Sequence, residues 1–317
     1  ACARVLHENN HKFVILEASD KPGGRIRTDD FGGYLLDHGF QVLQTGYPEL
    51  SHLLELESLN LKSFPSGVAV RKKGNFHIIA DPRSHPENII STLTSPLGTF
   101  RDRSLMFKLS RLLCKTAMED IFKDNEEKAL DFLEEWGFSA RFIKSFFVPF
   151  CAGACLERTM SASSRILKYL IRVFSMGNAA LPANGMGSIP DTLAATLPPG
   201  VIQYNKIVEK IDGNAVTLRD GETLRAQQII VATQEPAVSK LLHRQVERTS
   251  VGETCIYFGT DWKPPFRNPF LIIHVSLSFK GGNHSRQRTC PTLQSKYAFW
   301  SIVNTFFHSV LMTHIEI

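Results

Sequence analysis

The chain has 317 residues, 43% hydrophobic and 21% charged, a soluble-globular composition that excludes wholesale disorder, collagen and coiled coil. At roughly 150 residues per domain, this length suggests about two structural units. The net charge of +5, from 36 basic and 31 acidic residues, is too small and too scattered to point to a nucleic acid partner.

The chain opens at Ala1 inside a pattern that predicts a helix, closed by Asn10 in the left-handed conformation. Lys12 to Glu17 is a short apolar run ending in a carboxylate, the pattern of a parallel strand buried on both faces. Helix, turn, strand and terminal acid read as the second half of a βαβ unit. Asp20-Lys-Pro-Gly-Gly24 breaks the chain, and a hairpin is expected from Ile26 to Asp37 around Phe31-Gly-Gly33. A helix is expected from Pro48 to Leu59, then a second hairpin from Val68 to Ile79 about Lys73-Gly74.

From Pro86 to Met176 the texture is helical, clearest in Arg103–Ala117 and Glu126–Trp136, where apolar residues recur at three- and four-residue spacings. An antiparallel meander follows from Lys206 to Arg225, punctuated by the turns Asp212-Gly213 and Asp220-Gly221. Gln228 to Ala232 reads as another buried strand. Tyr297 to Ile315 carries no formal charge, but Asn304, Thr305, His308 and Thr313 interrupt it. It reads as a buried helix or a poorly folded tail rather than a membrane span.

Six cysteines (Cys2, Cys114, Cys151, Cys155, Cys255, Cys290) in so long a chain do not make a disulfide framework, and a reducing compartment is the simpler reading. Cys151 and Cys155 lack both C-x-x-C spacing and a nearby histidine pair, so no metal site is expected.

The stretch that carries chemistry is Glu17-Ala-Ser-Asp-Lys-Pro-Gly-Gly-Arg-Ile-Arg-Thr28. A carboxylate ending the second strand of a dinucleotide fold can accept both ribose hydroxyls of an adenosine, and it disfavours a 2′-phosphate. Gly23 and Gly24 let backbone amides approach a pyrophosphate, and Arg25 offers a fork of donors to the same charge. Singly, each has an ordinary structural explanation; at this spacing they read as a nucleotide grip. An NAD-dependent dehydrogenase is disfavoured, because Gly23-Gly24-Arg25 has no role after the acid in that simpler fold.

This stretch resembles the E-x-x-x-x-x-G-G-R motif of the flavin-containing amine oxidase superfamily, which includes phytoene desaturases, carotenoid isomerases and protoporphyrinogen oxidases. Gly33 to Gly39 resembles the segment that brings backbone close to the flavin. Phe147-Val-Pro-Phe-Cys-Ala-Gly153 is similar to the R-P-F-x-x-G stretch of the desaturase-like branch, with Val148 where arginine is usual. Pro182 to Pro190 resembles its P-x-G-G-M-x-x-I/L-P loop, with Asn184 replacing a glycine. Val208 lies where the family holds the adenine by main chain, and Ile230-Val-Ala-Thr233 resembles its V-V-x-A-T strand. These matches run through about residue 273.

The resemblance implies an α/β fold: an FAD-binding, Rossmann-like doubly wound domain with an antiparallel meander, plus a mostly helical or mixed substrate domain. The expected layout is FAD-binding at 1–65 and 188–240, substrate domain at 66–187, a substrate-domain strand region at 241–273 and an atypical tail at 274–317. The family's opening strand with its G-x-G-x-x-G turn, and its closing Gly-Asp motif, have no counterpart, so a partial chain truncated at both ends and inactive alone is expected. The implied cofactor is FAD, bound through Glu17, Gly23, Gly24, Arg25, Gly39 and Val208. The implied activity is hydride transfer to flavin from an apolar, prenyl-lipid or carotenoid-like substrate, or from an amine. The alternative is a truncated, non-catalytic binder of a ligand or partner. The resemblance further implies a plastid, otherwise the cytoplasm, and peripheral membrane contact. No catalytic residue is assigned; His38 reads as structural, and Phe146, Phe147 and Phe150 read as core before pocket.

Overall fold

The computed structural model of the protein describes residues 1–39, 42–64, 67–72, 75–80, 92, 94–157, 159–243, 254–259, 271–274, 299–304 and 310–312. The chain divides into two units, residues 1–28 with 187–251 and residues 29–186 with 252–317.

The first unit is built on a parallel strand pair, Ile15–Leu16 against Ile202–Gln203, with Ile15 opposite Ile202 and Leu16 opposite Gln203. The helix Cys2–Glu8 precedes it, and Asn10 adopts φ +58, the left-handed closure that the sequence predicts. The strand is shorter and less buried than its apolar run implies: both residues are half-buried and Val14 is 47% exposed. Among the described residues, the expected doubly wound layer comes down to this pair.

The meander forms as its turns dictate. Val208–Asp212, Ala215–Leu218 and Thr223–Arg225 pair antiparallel in order, and Gly213 (φ +58) and Gly221 (φ +92) supply the left-handed turn positions. Strict alternation in the middle strand buries Val216 and Leu218. Gln228–Ala232 corrects the sequence reading. It forms no strand, and Ile230 is 58% exposed. An apolar run becomes a buried parallel strand only with ladders alongside it, and no described strand pairs with this one.

The expected hairpin pairs Thr28–Phe31, which lies in the second unit from Asp29 onward, with Tyr34–Asp37. The predicted helix from Pro48 to Leu59 is split instead. Leu50–Leu53 is helical, Leu54 turns extended (φ −134) to bury its side chain, and Leu56–Leu59 is a 3₁₀ turn. A three-stranded sheet places Ala179–Leu181 between Leu43–Gln44 and Lys62–Ser63. A six-stranded sheet contains Gly67–Lys72 paired with Asn75–Ala80; their turn at Lys73-Gly74 lies outside the described residues. The same sheet includes Thr254–Gly259, Leu271–His274, Phe299–Asn304 and Val310–Met312. The last two correct the helix or loose tail expected between Tyr297 and Ile315: its described parts are antiparallel strands, and the rest of that stretch is outside the described residues.

The core of this unit is helical. Phe100–Lys115, Met118–Lys123, Ala129–Trp136, Val148–Ala154 and Ser164–Met176 enclose Leu109, Leu133, Phe147, Leu167 and Ile171, each at most 3% exposed. Ser164–Met176 contributes Leu167, Leu170, Ile171 and Val173, the three- and four-residue spacing of one helical face. Ile143–Phe147 is a π-helical turn, and it feeds a row of phenyl rings. Phe142 stacks on Phe146 at 5.3 Å and 10°, and Phe146 on Phe150 at 6.0 Å and 5°. Phe150 also packs against Val70 and Leu97 beneath the Gly67–Ala80 hairpin.

Candidate cofactor site

Glu17 follows directly on the parallel strand. Its backbone continues the ladder, donating to Gln203 O at 2.9 Å and accepting from Lys206 N at 2.9 Å. That pairing sets the acid at the strand end, two residues from the start of the Val208 strand. Its Oε1 accepts the Ser19 N–H and hydroxyl, both at 2.8 Å. The other carboxylate oxygen has no hydrogen-bond partner among the described residues. Ser19 thus orients the acid and leaves one oxygen for a diol.

Gly23 and Gly24 form consecutive left-handed positions, φ +117 and +58, in a turn closed by Ile26 N to Gly23 O at 2.9 Å. They differ in surroundings. A Cβ on Gly23 would collide with Ile26 O and lie 2.7 Å from Pro190 Cγ, whereas one on Gly24 would enter open space. Gly23 is therefore required by the fold, and Gly24 presents bare backbone outward. Lys21 Nζ donates to Thr28 O at 3.0 Å, and Thr28 Oγ1 accepts Gly187 N at 2.8 Å, holding the loop onto the start of helix Ser188–Ala195. Arg25 is exposed beside Gly24. Asp20 pairs with Arg27 at 2.6 Å, and this hydrogen bond holds its carboxyl below the usual range.

Val208 begins the outer strand of the meander, where the register slips between Val208 and Lys210. One side of its backbone therefore has no sheet partner among the described residues.

Gly39 belongs to the second unit and has φ +91. The segment before it is anchored through Asp37, whose Oδ1 accepts Met186 N at 2.9 Å and whose carbonyl accepts the Tyr257 hydroxyl at 2.6 Å. Burial pushes the Tyr257 phenol upward, so it stays a protonated donor. Within this unit, Asp37 joins the two motif segments ending at Gly39 and beginning at Pro182, 149 residues apart at the bonded atoms. His38 pairs with Asp29 at 2.6 Å with both side chains about half exposed. Phe147 is wholly buried, while Phe146 and Phe150 are half-buried.

Sequence reasoning missed Ser19, Thr28 and Asp37. The serine and threonine give no signal of their own, because short hydroxyl side chains occupy turns everywhere. The aspartate, two residues before Gly39, is the one with a readable cue. No group of residues suited to a metal ion is found among the described residues, and no described helix is long and apolar enough to cross a membrane.

The fold is mixed α/β, and an oriented acid at a parallel strand end followed by an open backbone turn with an exposed arginine has the chemistry that suits a nucleotide cofactor. The family follows from comparison. The model for "Flavin containing amine oxidoreductase" matches residues 1–308, and the chain belongs to that family of FAD-dependent oxidoreductases. Its cofactor is FAD.

Solved structures share the fold at low identity. A protein from Pyrococcus furiosus has TM-score 0.62 and 15% identity, covering 99% of this chain and 76% of its own. A putative protoporphyrinogen oxidase from an Exiguobacterium species has TM-score 0.60 and 14% identity, covering 98% and 73%. Cyclohexylamine oxidase from Brevibacterium oxydans has TM-score 0.53 and 19% identity, with 75% of this chain matching 56% of that one. No curated protein matches in sequence.

Proposed function

We propose that this protein binds FAD through Glu17, Gly23, Gly24, Arg25, Gly39 and Val208, and oxidises an apolar substrate, with an amine as the close variant. The observation that carries the reading is the Glu17 carboxylate, fixed on one oxygen by Ser19 and open on the other, six residues before Gly23. Its free oxygen suits a ribose diol. The Gly24 amide and the Arg25 guanidinium suit the pyrophosphate, and the unpaired backbone at Val208 suits the adenine edge. Gly39 is assigned to backbone approach to the flavin ring.

Bound flavin supplies a hydride acceptor for a substrate C–H bond. The residues of this chain bind and orient. Glu17 selects an unphosphorylated ribose, since its charge repels a 2′-phosphate. Asp37 holds the strand leading to Gly39 through the Met186 amide. The apolar preference rests on the desaturase-like resemblance, with the half-buried Phe146 and Phe150 as candidate lining beside their core packing. A plastid location and peripheral membrane contact rest on the family resemblance alone.

The test is the visible spectrum of the purified protein supplied with FAD and then desalted. Retained flavin bands that fall with Glu17→Ala support the reading. A folded, colourless protein, or flavin uptake indifferent to Glu17→Ala and Arg25→Ala, overturns it in favour of a non-catalytic binder.

A further inference from the structure

Helix Val148–Ala154 ends with Cys155 as its C-terminal cap, whose N–H donates to Cys151 O at 2.7 Å. One helical turn separates their Cα atoms by about 6.2 Å, inside the roughly 4.4–6.8 Å span that disulfides bridge. Helical Cβ atoms at this spacing, however, lie about 5–6 Å apart, and a disulfide needs roughly 3.5–4.5 Å, so the last turn must open for the bond to close. The spacing is not C-x-x-C, so only the helix shows that these two side chains share a face. Cys151 is 4% exposed and packs in the core with Phe147 and Ile143; Cys155 is half-buried.

We propose that Cys155 and Cys151 form a peroxide-sensitive thiol pair, Cys155 being the attacking sulfur and Cys151 the resolving one. The two thiols hydrogen-bond to each other, which favours ionisation of Cys155 and opposes that of the buried Cys151. The thiolate is the nucleophile, so the division of roles follows from that hydrogen bond, with the deeper burial of Cys151 adding to it. As a cap, Cys155 contributes no residue to the helix interior. Closing a disulfide sacrifices chiefly its own bond to Cys151 O. The backbone immediately beyond it turns sharply at Leu156 (φ +56), so the bent chain already leaves the helix axis at this point.

The chemistry balances with hydrogen peroxide as oxidant. The Cys155 thiolate attacks one peroxide oxygen; an S–O bond forms, the O–O bond breaks, and hydroxide leaves as water after taking a proton. Cys151 sulfur then attacks the sulfenic sulfur, the S–O bond breaks, and a second water leaves with the Cys151 proton. Two thiols lose two electrons and peroxide is reduced to two waters. The proposal is independent of the flavin assignment.

Both cysteines lie between Lys144 and Arg158, hence in one tryptic peptide. The reduced full chain is treated with one equivalent of hydrogen peroxide, alkylated, digested and analysed by mass spectrometry. The expected peptide is lighter by two hydrogens, unalkylated at both cysteines, and alkylated at both after reduction. Cys155 reacts about tenfold faster than Cys114. Cys151→Ser traps a dimedone-reactive sulfenic acid on Cys155, and Cys155→Ser abolishes the two-hydrogen loss, with circular dichroism confirming that each variant is folded. Full alkylation of both cysteines in the peroxide-treated wild type, or dimedone capture on Cys151 in Cys155→Ser, overturns the proposal; the wild-type measurement stands even if a variant fails to fold.

Discussion

Asp102 accepts both the backbone N–H and the hydroxyl of Ser139, at 2.7 and 2.8 Å, across 37 residues of chain. Its Oδ2 also accepts Thr99 N at 2.6 Å and Thr99 Oγ1 at 2.7 Å, completing a capping box at the start of helix Phe100–Lys115. Ser139 in turn caps the helix that begins at Ala140. One carboxylate, 1% exposed, therefore closes the N-termini of two helices.

Asp102→Ala should lower stability by about 3 kcal/mol, combining a lost cap with buried N–H groups left unsatisfied. Thr99→Ala, which removes only the local box, should cost about 1 kcal/mol. Urea unfolding of the two variants checks the order; equal losses would show that the long-range bonds to Ser139 add nothing.

Asp102 also predicts a pH dependence. Burial alone would raise its carboxyl, but the hydrogen bonds from Ser139 and Thr99 outweigh burial and hold it below the usual carboxylate range. A depressed folded pKa means that its contribution is complete above the unfolded value of about 3.9 and is lost as pH falls through the folded one. Wild-type stability should therefore fall more steeply below about pH 4 than that of Asp102→Asn, as read from unfolding midpoints between neutral and acidic pH.

Lys168 is 6% exposed, with Nζ 2.6 Å from Asp124, 3.6 Å from Glu127 and 4.3 Å from the centre of the Phe132 ring. The two ends of the pair differ in burial, since the Asp124 side chain is 49% exposed. Lys168→Met should cost only about 1 kcal/mol, because the freed carboxylates return to water and methionine refills the space. Asp124→Asn should cost more, about 2 kcal/mol, by removing the shorter ion pair and leaving the buried ammonium with Glu127 at 3.6 Å as its remaining carboxylate. Thermal unfolding of both variants settles the order; a larger loss in Lys168→Met would contradict it.

The twin glycines should respond differently. Gly23→Ala forces its Cβ into Ile26 O and Pro190, so the turn itself must shift, with loss of stability and of FAD together. Gly24→Ala meets no atom and bears only the left-handed penalty of about 1 kcal/mol. A fall in FAD affinity larger than that penalty would mark Gly24 as the point of backbone approach.

Glu17→Ala should weaken FAD binding by about 10- to 100-fold, the range for a lost charge-assisted hydrogen bond. Ser19→Ala should weaken it less, since the acid survives and only its orientation loosens. Flavin fluorescence titration distinguishes the two; an equal loss would mean that orientation matters as much as charge.

Much of this was readable from residue types. The left-handed positions at Asn10, Gly23, Gly24, Gly213 and Gly221 follow from backbone sterics that act locally. The helical texture between Phe100 and Met176 follows from apolar spacing. The reading failed at Gln228–Ala232 because a strand depends on neighbours distant in sequence, and at Leu54 because burying one side chain outweighed helical continuity.

The proposed cofactor grip is legible in the sequence by itself, because Glu17, Gly23, Gly24 and Arg25 lie within nine residues and their chemistry is carried by residue type and backbone freedom. Only the tertiary structure decided which oxygen of Glu17 stays open, that Asp37 reaches Met186, and that Asp102 closes a second helix at Ser139. Glu17 is oriented through ladder bonds to a strand beginning at Ile202. Hydrogen bonds act over about 3 Å of space whatever the chain separation, so bonds spanning 37 or 149 residues leave no mark on local composition.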